Sequence, residues 1–335
     1  MSRGGLVLLL SAILPICLLM AVMLGAVALP ASGVLGALTG LGTPDTRLAL
    51  IVDYIRLPRA LLTALVGALL AICGAAMQGL FRNPLADPSL IGVTAGASAG
   101  ASLVIVFAGT LTGLAGLSLV SLGAFAGGTV AVMLVYRLAT GPAGTSVATM
   151  LLAGIAIGAI AGSLTSLLEF YADNDMLRRI SLWRMGGLDG ANWPRVAVVA
   201  GVALVVFAVV PAQARALNAL LLGESEARHL GVAVDAVKRR LVLIVAAGVG
   251  VSVAVAGAIA FVGLVVPHIV RLLIGPDHRW LLPASALAGA ILLLVADTLA
   301  RIVIAPTELP VGLLTALLGA PFFISLLRRR REYDL

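Results

Sequence analysis

The chain has 335 residues, of which 61% are hydrophobic and 11% charged, and its formal net charge is +7. A soluble domain is roughly half apolar and a quarter charged, so this composition excludes an ordinary water-soluble fold and indicates a polytopic membrane protein. The basic residues are scattered between apolar stretches, which argues against nucleic-acid binding and for a membrane-topology signal. Cys17 and Cys73 lie inside apolar runs, without the spacing of a disulfide or a metal site.

Ten apolar stretches are long enough to cross a membrane, since a spanning helix needs about 20 residues and fewer where protein surrounds it. In chain order they are Gly4–Leu29, Ala60–Leu80, Ser89–Phe107, Leu117–Leu138, Ser146–Phe170, Val196–Val210, Leu241–Val255, Ala258–Ile274, Leu281–Ala300 and Leu309–Leu327. The first is too long for a signal-peptide core and is interpreted as a retained span. The pair from Leu241 to Ile274 is also compatible with one long kinked helix. The sequence therefore predicts an all-α membrane protein with ten transmembrane helices in a single transmembrane domain, residues 1–335.

The distribution of charge predicts the orientation of this domain. In a ten-span topology the side with both termini carries the larger share of Arg and Lys, so the positive-inside rule places the termini in the cytoplasm. Arg56, Arg59 and Arg301 are among the arginines that remain outside and need another explanation.

Two predicted spans carry glycine at every fourth position, Gly92, Gly96 and Gly100 in one and Gly154, Gly158 and Gly162 in the other. Such stripes allow helix backbones to approach closely in lipid, and we expect this packing role rather than ligand binding.

Two polar segments separate the spans. The outer one, Ala172–Arg195, predicts a short helix from Asn174 to Met185. The inner one, Ala212–Arg240, is interrupted by Gly223 and Gly231 and predicts two short helices at the membrane surface.

The sequence lacks the residue patterns expected for nucleotide binding, ion-coupled transport, metal binding and catalysis. A Walker loop needs Gly-Lys-Ser/Thr, but the only lysine, Lys238, is followed by Arg239, so any ATP must bind to another subunit. The spans contain few acids. The main exception, Asp297, has Arg301 four residues on, which predicts a local ion pair and disfavours an ion-coupled carrier. The three histidines, at 229, 268 and 278, share no ligand spacing, so we expect no metal, no cofactor and no enzyme active site.

The segment RNPLADPSLIGVTAGASAGA, which starts at Arg82, resembles the signature of the FecCD family of permeases. Further matching segments are IRLPRALLTALVGALLAICGAAMQ from Ile55, GAIAFVGLVVPHIVRLL from Gly257, LPASALAGAILLLVADTLAR from Leu282 and ELPVGLLTALLGAPFFISLLRR from Glu308. The resemblance implies a type II ABC importer permease in the bacterial inner membrane. It also implies a homodimer that works with two ATP-binding-cassette ATPase subunits and one periplasmic substrate-binding protein.

The resemblance assigns three groups of residues. Arg56, Arg59 and Arg301 are expected to be exposed charges that dock the binding protein; the alternatives are snorkelling to lipid headgroups or pairing with Asp53 and Asp297. The residues expected to couple to the ATPase are Gly223, Glu224, Glu226, Arg228, His229, Leu230 and Gly231; the alternative is an ordinary basic loop. The expected cytoplasmic gate comprises Ser146, Val147 and Ala148.

The resemblance leaves the cargo open. The outer segment from Tyr171 to Trp193 looks more like heme and cobalamin permeases than like many siderophore ones, and we expect heme first, ferric siderophores second and cobalamin third. An ion-coupled secondary carrier and a structural membrane protein are the alternatives from other classes.

Overall fold

A computed structural model describes residues 2–25, 27, 29–39, 46–108, 113–141 and 144–331. The helices are α1 Arg3–Met23, α2 Ala31–Thr39, α3 Thr46–Ile51, α4 Leu57–Leu80, α5 Val93–Phe107, α6 Gly113–Ala139, α7 Val147–Tyr171, α8 Asn174–Met185, α9 Trp193–Ala212, α10 Ala214–Leu220, α11 Glu224–His229, α12 Val234–Ala256, α13 Val262–Ile274, α14 His278–Ile302 and α15 Val311–Arg331. A π-helical turn, Val52–Arg56, joins α3 to α4, and a 3-10 turn, Pro88–Ile91, precedes α5. Two short strands, β1 Thr140–Gly141 and β2 Gly144–Thr145, form an antiparallel hairpin.

The ten predicted spans correspond to ten apolar helices. Within the described residues, seven helical stretches are long and apolar enough to cross a membrane, and Val93–Phe107, Val262–Ile274 and Val311–Phe322 are shorter apolar helices. Polar caps mark several of their starts: Ser146 accepts a hydrogen bond from the Thr149 amide (3.3 Å), and Asn192 accepts one from the Arg195 amide (3.0 Å). The all-α prediction is confirmed.

The apolar run from Leu241 to Ile274 forms two helices, not one kinked helix. Gly257 and Phe261 have φ angles of 67° and 68°, which a right-handed helix cannot accommodate. Helix α12 therefore ends at Ala256, and α13 begins at Val262.

Helix α4 forms the centre of the bundle and packs against α9, α12, α13 and α14. Its apolar stretch is 83% buried, whereas that of α7 is only 22% buried. Gly67 of α4 lies against Gly289 of α14, where a Cβ atom would collide with the facing carbonyl oxygen. This close approach lets the two backbones pack without intervening side chains.

The glycine stripes divide into packed and open positions. A Cβ at Gly96 or Gly100 would collide with the backbone of α6, and one at Gly154 would collide with the carbonyl of Leu90. A Cβ at Gly162, in contrast, would meet nothing within 4 Å, and one at Gly158 would make only an ordinary contact. The packing prediction is confirmed for Gly96, Gly100 and Gly154. A Cβ at Gly92, which has a φ of 80°, would make only ordinary contacts, and Gly158 and Gly162 lie on the open face of α7.

The bundle has two distinct ends, named here the α8 end and the α11 end. Helix α8 has the predicted bounds, and α10 and α11 are the two short helices predicted between Ala212 and Arg240. Helix α4 has 24 residues and is therefore about 36 Å long. It places Arg59 at the α8 end and Gly79, beside His278, at the α11 end. Helices α2 and α3 and the π-helical turn were not predicted.

Candidate functional site

A buried ion cluster lies at the α8 end. The Asp297 carboxylate is 1% exposed and accepts hydrogen bonds from Arg59 Nε (3.1 Å) and Nη2 (2.8 Å). Arg301, one helical turn further along α14, places its Nε 3.1 Å from the other carboxylate oxygen. The Asp297 carboxylate thus pairs with two guanidinium groups, so its removal would leave two buried positive charges without this negative partner.

Two further residues extend this cluster. Arg59 Nη1 also donates to Glu308 Oε2 (2.8 Å), whose side chain is 38% exposed. Arg56 donates to the carbonyl oxygens of Leu24 and Val27, which fixes the chain after α1. The predicted Asp297–Arg301 pair is confirmed, but it is part of a larger network.

The expectation that Arg56, Arg59 and Arg301 are exposed charges is wrong. All three residues are less than a tenth exposed. Each has an internal partner, because a buried guanidinium group is tolerated only where hydrogen bonds replace its lost hydration. Contact of these arginines with a binding protein stays a prediction.

A cavity of about 480 Å³ adjoins the cluster. Arg59 and Glu308 form one part of its wall, Trp183 and Asp189 a second, and Arg195 a third. Arg195 donates through Nη1 to the Gly190 carbonyl (3.0 Å), which helps to hold the loop after α8. The cavity therefore combines apolar walls with both guanidinium and carboxylate groups at the α8 end.

Backbone hydrogen bonds at the two glycines that follow α8 fix the end of this helix beside the cavity. The Gly187 amide donates to the Ala256 carbonyl (2.8 Å), and the Gly312 amide donates to the Gly186 carbonyl (3.3 Å). The end of α8 is thereby joined to the end of α12 and the start of α15. Glu169 and Arg184 form an ion pair (2.9 Å) between α7 and α8.

The predicted coupling residues lie at the opposite end and are called here the α11 surface. Ala227 is the buried anchor of the short helix α11, while Glu226, Arg228 and His229 are exposed. Leu230 is 65% exposed directly after the helix. A leucine exposed singly is normal at a protein surface, so the coupling role of this segment stays a prediction.

The predicted gate residues lie at this same end, directly after the β1–β2 hairpin. Ser146 caps α7, and Ser146 and Ala148 are exposed while Val147 is half-buried. In the hairpin Thr140 pairs with Thr145, and their hydroxyl oxygens are 3.1 Å apart. The structure thus brings the predicted gate and the predicted coupling segment to one end, opposite the three arginines.

Sequence reasoning missed the residue that connects these two segments. Lys238, in the second turn of α12, is 2% exposed. Its Nζ donates to the Thr145 carbonyl (2.7 Å) and lies 2.6 Å from Glu224 Oε1. Lys238 is the only lysine in the chain, and its sequence context indicates only the absence of a Walker motif, since nothing in the sequence identifies its partners.

The histidines have no common site. His278 is buried, with its Nδ1 2.8 Å from Asn218 Oδ1, while His268 packs its ring edge-on against Phe322. Asn218 Nδ2 also donates to Asp277 Oδ1 (2.6 Å), and this hydrogen bond is the largest cause that lowers the pKa of Asp277 below its ordinary value of 3.8. Within the described residues, no three His, Cys, Asp or Glu side chains group as metal ligands would.

Comparison with known proteins identifies relatives over nearly the whole chain. The pattern of the FecCD transport family matches residues 13–329. The hemin transport system permease protein HmuU of Yersinia pestis is 49% identical over 278 residues, which cover 83% of each chain. The cobalamin import system permease protein BtuC of Halobacterium salinarum is 48% identical over 289 residues, 86% of this chain and 76% of its own. The vitamin B12 import system permease protein BtuC of Salmonella typhi is 46% identical over 280 residues, 83% of each.

Solved structures give the same fold. A metal-chelate type ABC transporter in an inward-facing conformation superposes with a TM-score of 0.85 at 30% identity, covering 97% of this chain and 99% of its own. PsaBC from Streptococcus pneumoniae, in complex with Fab, has a TM-score of 0.57 at 18% identity, covering 82% of this chain and 92% of its own; it shares the fold.

Proposed function

The chain belongs to the FecCD transport family, and from that premise we propose that it passes heme from the periplasm to the cytoplasm of a bacterium. It is the membrane permease subunit of an ABC importer and not itself a catalyst. Permeases of this family work as dimers with ATPase and substrate-binding partners. The proposal concerns the cargo, the assembly and the roles of individual residues.

One observation carries the mechanism. The predicted partner surfaces lie at opposite ends of a spanning bundle, with the ion cluster and its cavity at the α8 end and the α11 surface beside the gate at the other. This arrangement suits alternating access, in which a loaded protein delivers cargo at one end and ATP-driven movement opens the other.

The assembly follows from this division. In our proposal the permease is a homodimer that two ATP-binding-cassette subunits contact from below and a periplasmic binding protein caps from above. The apolar, mostly exposed face of α7, which includes Ile155 (66%) and Leu152 (69%), supports contact with a second copy or with lipid. The α8 end would face the periplasm, so both termini would lie on the cytoplasmic side of the inner membrane.

The predicted site residues keep their roles in this proposal, in modified form. Arg301 would act by holding the buried cluster and Arg56 by fixing the chain after α1. Arg59, which also lines the cavity, would present the charge closest to a docked protein. Gly223, Glu224, Glu226, Arg228, His229, Leu230 and Gly231 would seat on the ATPase. Ser146, Val147 and Ala148 would form the constriction, where small or uncharged side chains can separate without exposing a buried charge.

Docking is tested by the affinity of the binding protein for the assembled complex. We expect Arg59→Ala to weaken it because the cluster loses the charge that reaches the cavity, and added salt to reduce the difference. Arg137→Ala, an exposed arginine at the α11 end, is the matched control for loss of charge. Equal affinity of the Arg59 variant and the control would contradict the docking role.

The similarity to the hemin permease supports heme as cargo, and the two cobalamin permeases make cobalamin the second candidate. The deciding experiment measures ATP hydrolysis by the permease and its ATPase in liposomes with the binding protein loaded with hemin, cobalamin or a ferric siderophore. We expect hemin to give the largest stimulation together with uptake. If cobalamin or the siderophore stimulates hydrolysis and hemin does not, the heme proposal is contradicted and the stimulating compound is the cargo.

A further inference from the structure

Lys238 lies between the two segments that the proposed function assigns to ATPase coupling and to gating. Its ammonium group bonds the carbonyl of Thr145, the residue directly before the gate, and the carboxylate of Glu224, the first residue of α11. We propose that Lys238 is the positioning residue that carries movement of α11 to the gate. This inference rests on the proposed roles of α11 and of Ser146–Ala148.

The burial of Lys238 makes this connection specific. A lysine ammonium is almost never fully buried unless it is paired, because its charge loses hydration. Here both replacement partners belong to the two segments, and both distances are short, at 2.7 and 2.6 Å. Charge-assisted hydrogen bonds of this length are about twice as strong as neutral ones. A displacement of Glu224 therefore either moves the Thr145 carbonyl or leaves a buried charge without a partner.

A second, weaker connection runs parallel to the first. Asp235 Oδ1 accepts a long hydrogen bond from the Thr145 amide (3.4 Å), and its other oxygen lies 3.6 Å from Arg228 Nη2. Arg228 is also 3.8 Å from Glu224. The side chains of Arg228 and Asp235 are about half exposed (50% and 51%), so water and salt screen this path. The buried path through Lys238 is the one that transmits force.

The hairpin connects the hydrogen bond between Lys238 and Thr145 to the proposed gate through a short, hydrogen-bonded stretch of backbone. Thr145 pairs with Thr140 across β1 and β2, and the Ser146 amide donates to the Ala139 carbonyl at the end of α6 (2.9 Å). Ser146 then caps the first turn of α7. A pull on the Thr145 carbonyl thus acts on the backbone immediately before the gate, and the pairing with Thr140 limits how far the hairpin can deform.

The test compares Lys238→Met with the parent in the complete complex of permease, ATPase and loaded binding protein in liposomes. Met fills a similar volume without a donor. We expect ATP hydrolysis to stay within about twofold of the parent while cargo moved per ATP falls about fivefold or more, the usual lower range for loss of coupling between two sites. Arg239→Met, an exposed neighbour that loses the same charge, is the control and should keep the parental ratio.

A second readout follows the gate directly. Ser146→Cys is introduced together with Cys17→Ser and Cys73→Ala, and its labelling by a water-soluble maleimide is compared with and without trapped nucleotide. In the parental background the labelling rate should change with nucleotide, and with Lys238→Met this change should be lost. Glu224→Gln, which keeps the Thr145 bond but removes one charge, should give a partial loss, and Lys238→Arg a partial rescue.

The outcomes separate the inference from the function on which it rests. If labelling in the parental background does not respond to nucleotide, the assigned gate or ATPase coupling is wrong. If it responds and Lys238→Met responds equally with an unchanged ratio of cargo to ATP, the inference is overturned. A proportional fall in both ATP hydrolysis and uptake, with the labelling response intact, would show that Lys238 has only a structural role and would also overturn the inference. If Lys238→Met does not assemble, the Glu224→Gln and Lys238→Arg variants give the same decision.

Discussion

Replacing Asp297 with Asn should destabilise the protein strongly. The carboxylate is 1% exposed and is shared by Arg59 and Arg301, whose side chains are 10% and 4% exposed. Asn keeps the shape but removes the negative charge, so two buried guanidinium groups remain near one carboxylate, that of Glu308. Breaking a buried ion pair from one side costs about 3–5 kcal/mol.

This loss of unfolding free energy predicts a measurable fall in Tm. An unfolding entropy of about 2.1 cal/mol/K per residue gives about 0.7 kcal/mol/K for a chain of this length, so Tm should fall by about 4–7 °C. The assay is thermal unfolding of the detergent-purified permease. Glu308→Gln is the matched control: its side chain is 38% exposed, its pair contributes about 0–1 kcal/mol, and its Tm should shift by about 1 °C. An Asp297→Asn variant that melts with the parent, or with the control, would refute this account of the cluster.

Two further predictions concern packing and pH. Gly100→Ala should lower Tm by roughly 1–4 °C, because the new methyl group meets the Gly123 carbonyl and such overpacking costs about 1–3 kcal/mol. The control, Gly162→Ala, places its methyl group where nothing lies within 4 Å and should leave Tm nearly unchanged. Equal effects of the two substitutions would contradict the packing described for α5 and α6. Because the hydrogen bond from Asn218 lowers the pKa of Asp277, the stability it contributes is fully present above the ordinary value of 3.8 and is lost as pH falls through the lower folded value. Asn218→Ala should therefore reduce the loss of Tm on acidification below about pH 4, and an identical pH profile would count against this coupling.

The membrane spans were predictable because their signal is local. Each span is a contiguous apolar run, and composition within one window identifies it without knowledge of its neighbours. The short helices α8, α10 and α11 were also predictable, since each is a run of helix formers followed closely by a glycine, at 186, 223 and 231 respectively. The break between α12 and α13 was ambiguous because Phe261, unlike Gly257, gives no sequence sign of its positive φ.

The side-chain partners were not predictable in the same way. Arg59 and Asp297 are 238 residues apart in sequence, and Arg59 and Glu308 are 249 apart, so only the folded bundle brings these pairs together. The wrong expectation of exposed arginines came from assuming that charges at a helix end face solvent, whereas α4 is central and its first turn is covered by α14 and the chain after α1. Lys238 and its two partners show the same limit, since Thr145 contributes only a backbone carbonyl, which any residue could supply.

The most direct test of the central claim is cargo uptake into liposomes that contain the permease and its ATPase, with ionophores present to collapse all ion gradients. The binding protein is supplied outside, loaded with hemin, and ATP is enclosed within. The account predicts uptake that requires both ATP and the ATPase subunit and that persists when the gradients are abolished. Uptake that needs an ion gradient and continues without the ATPase would contradict the assignment of this chain as an ABC importer permease.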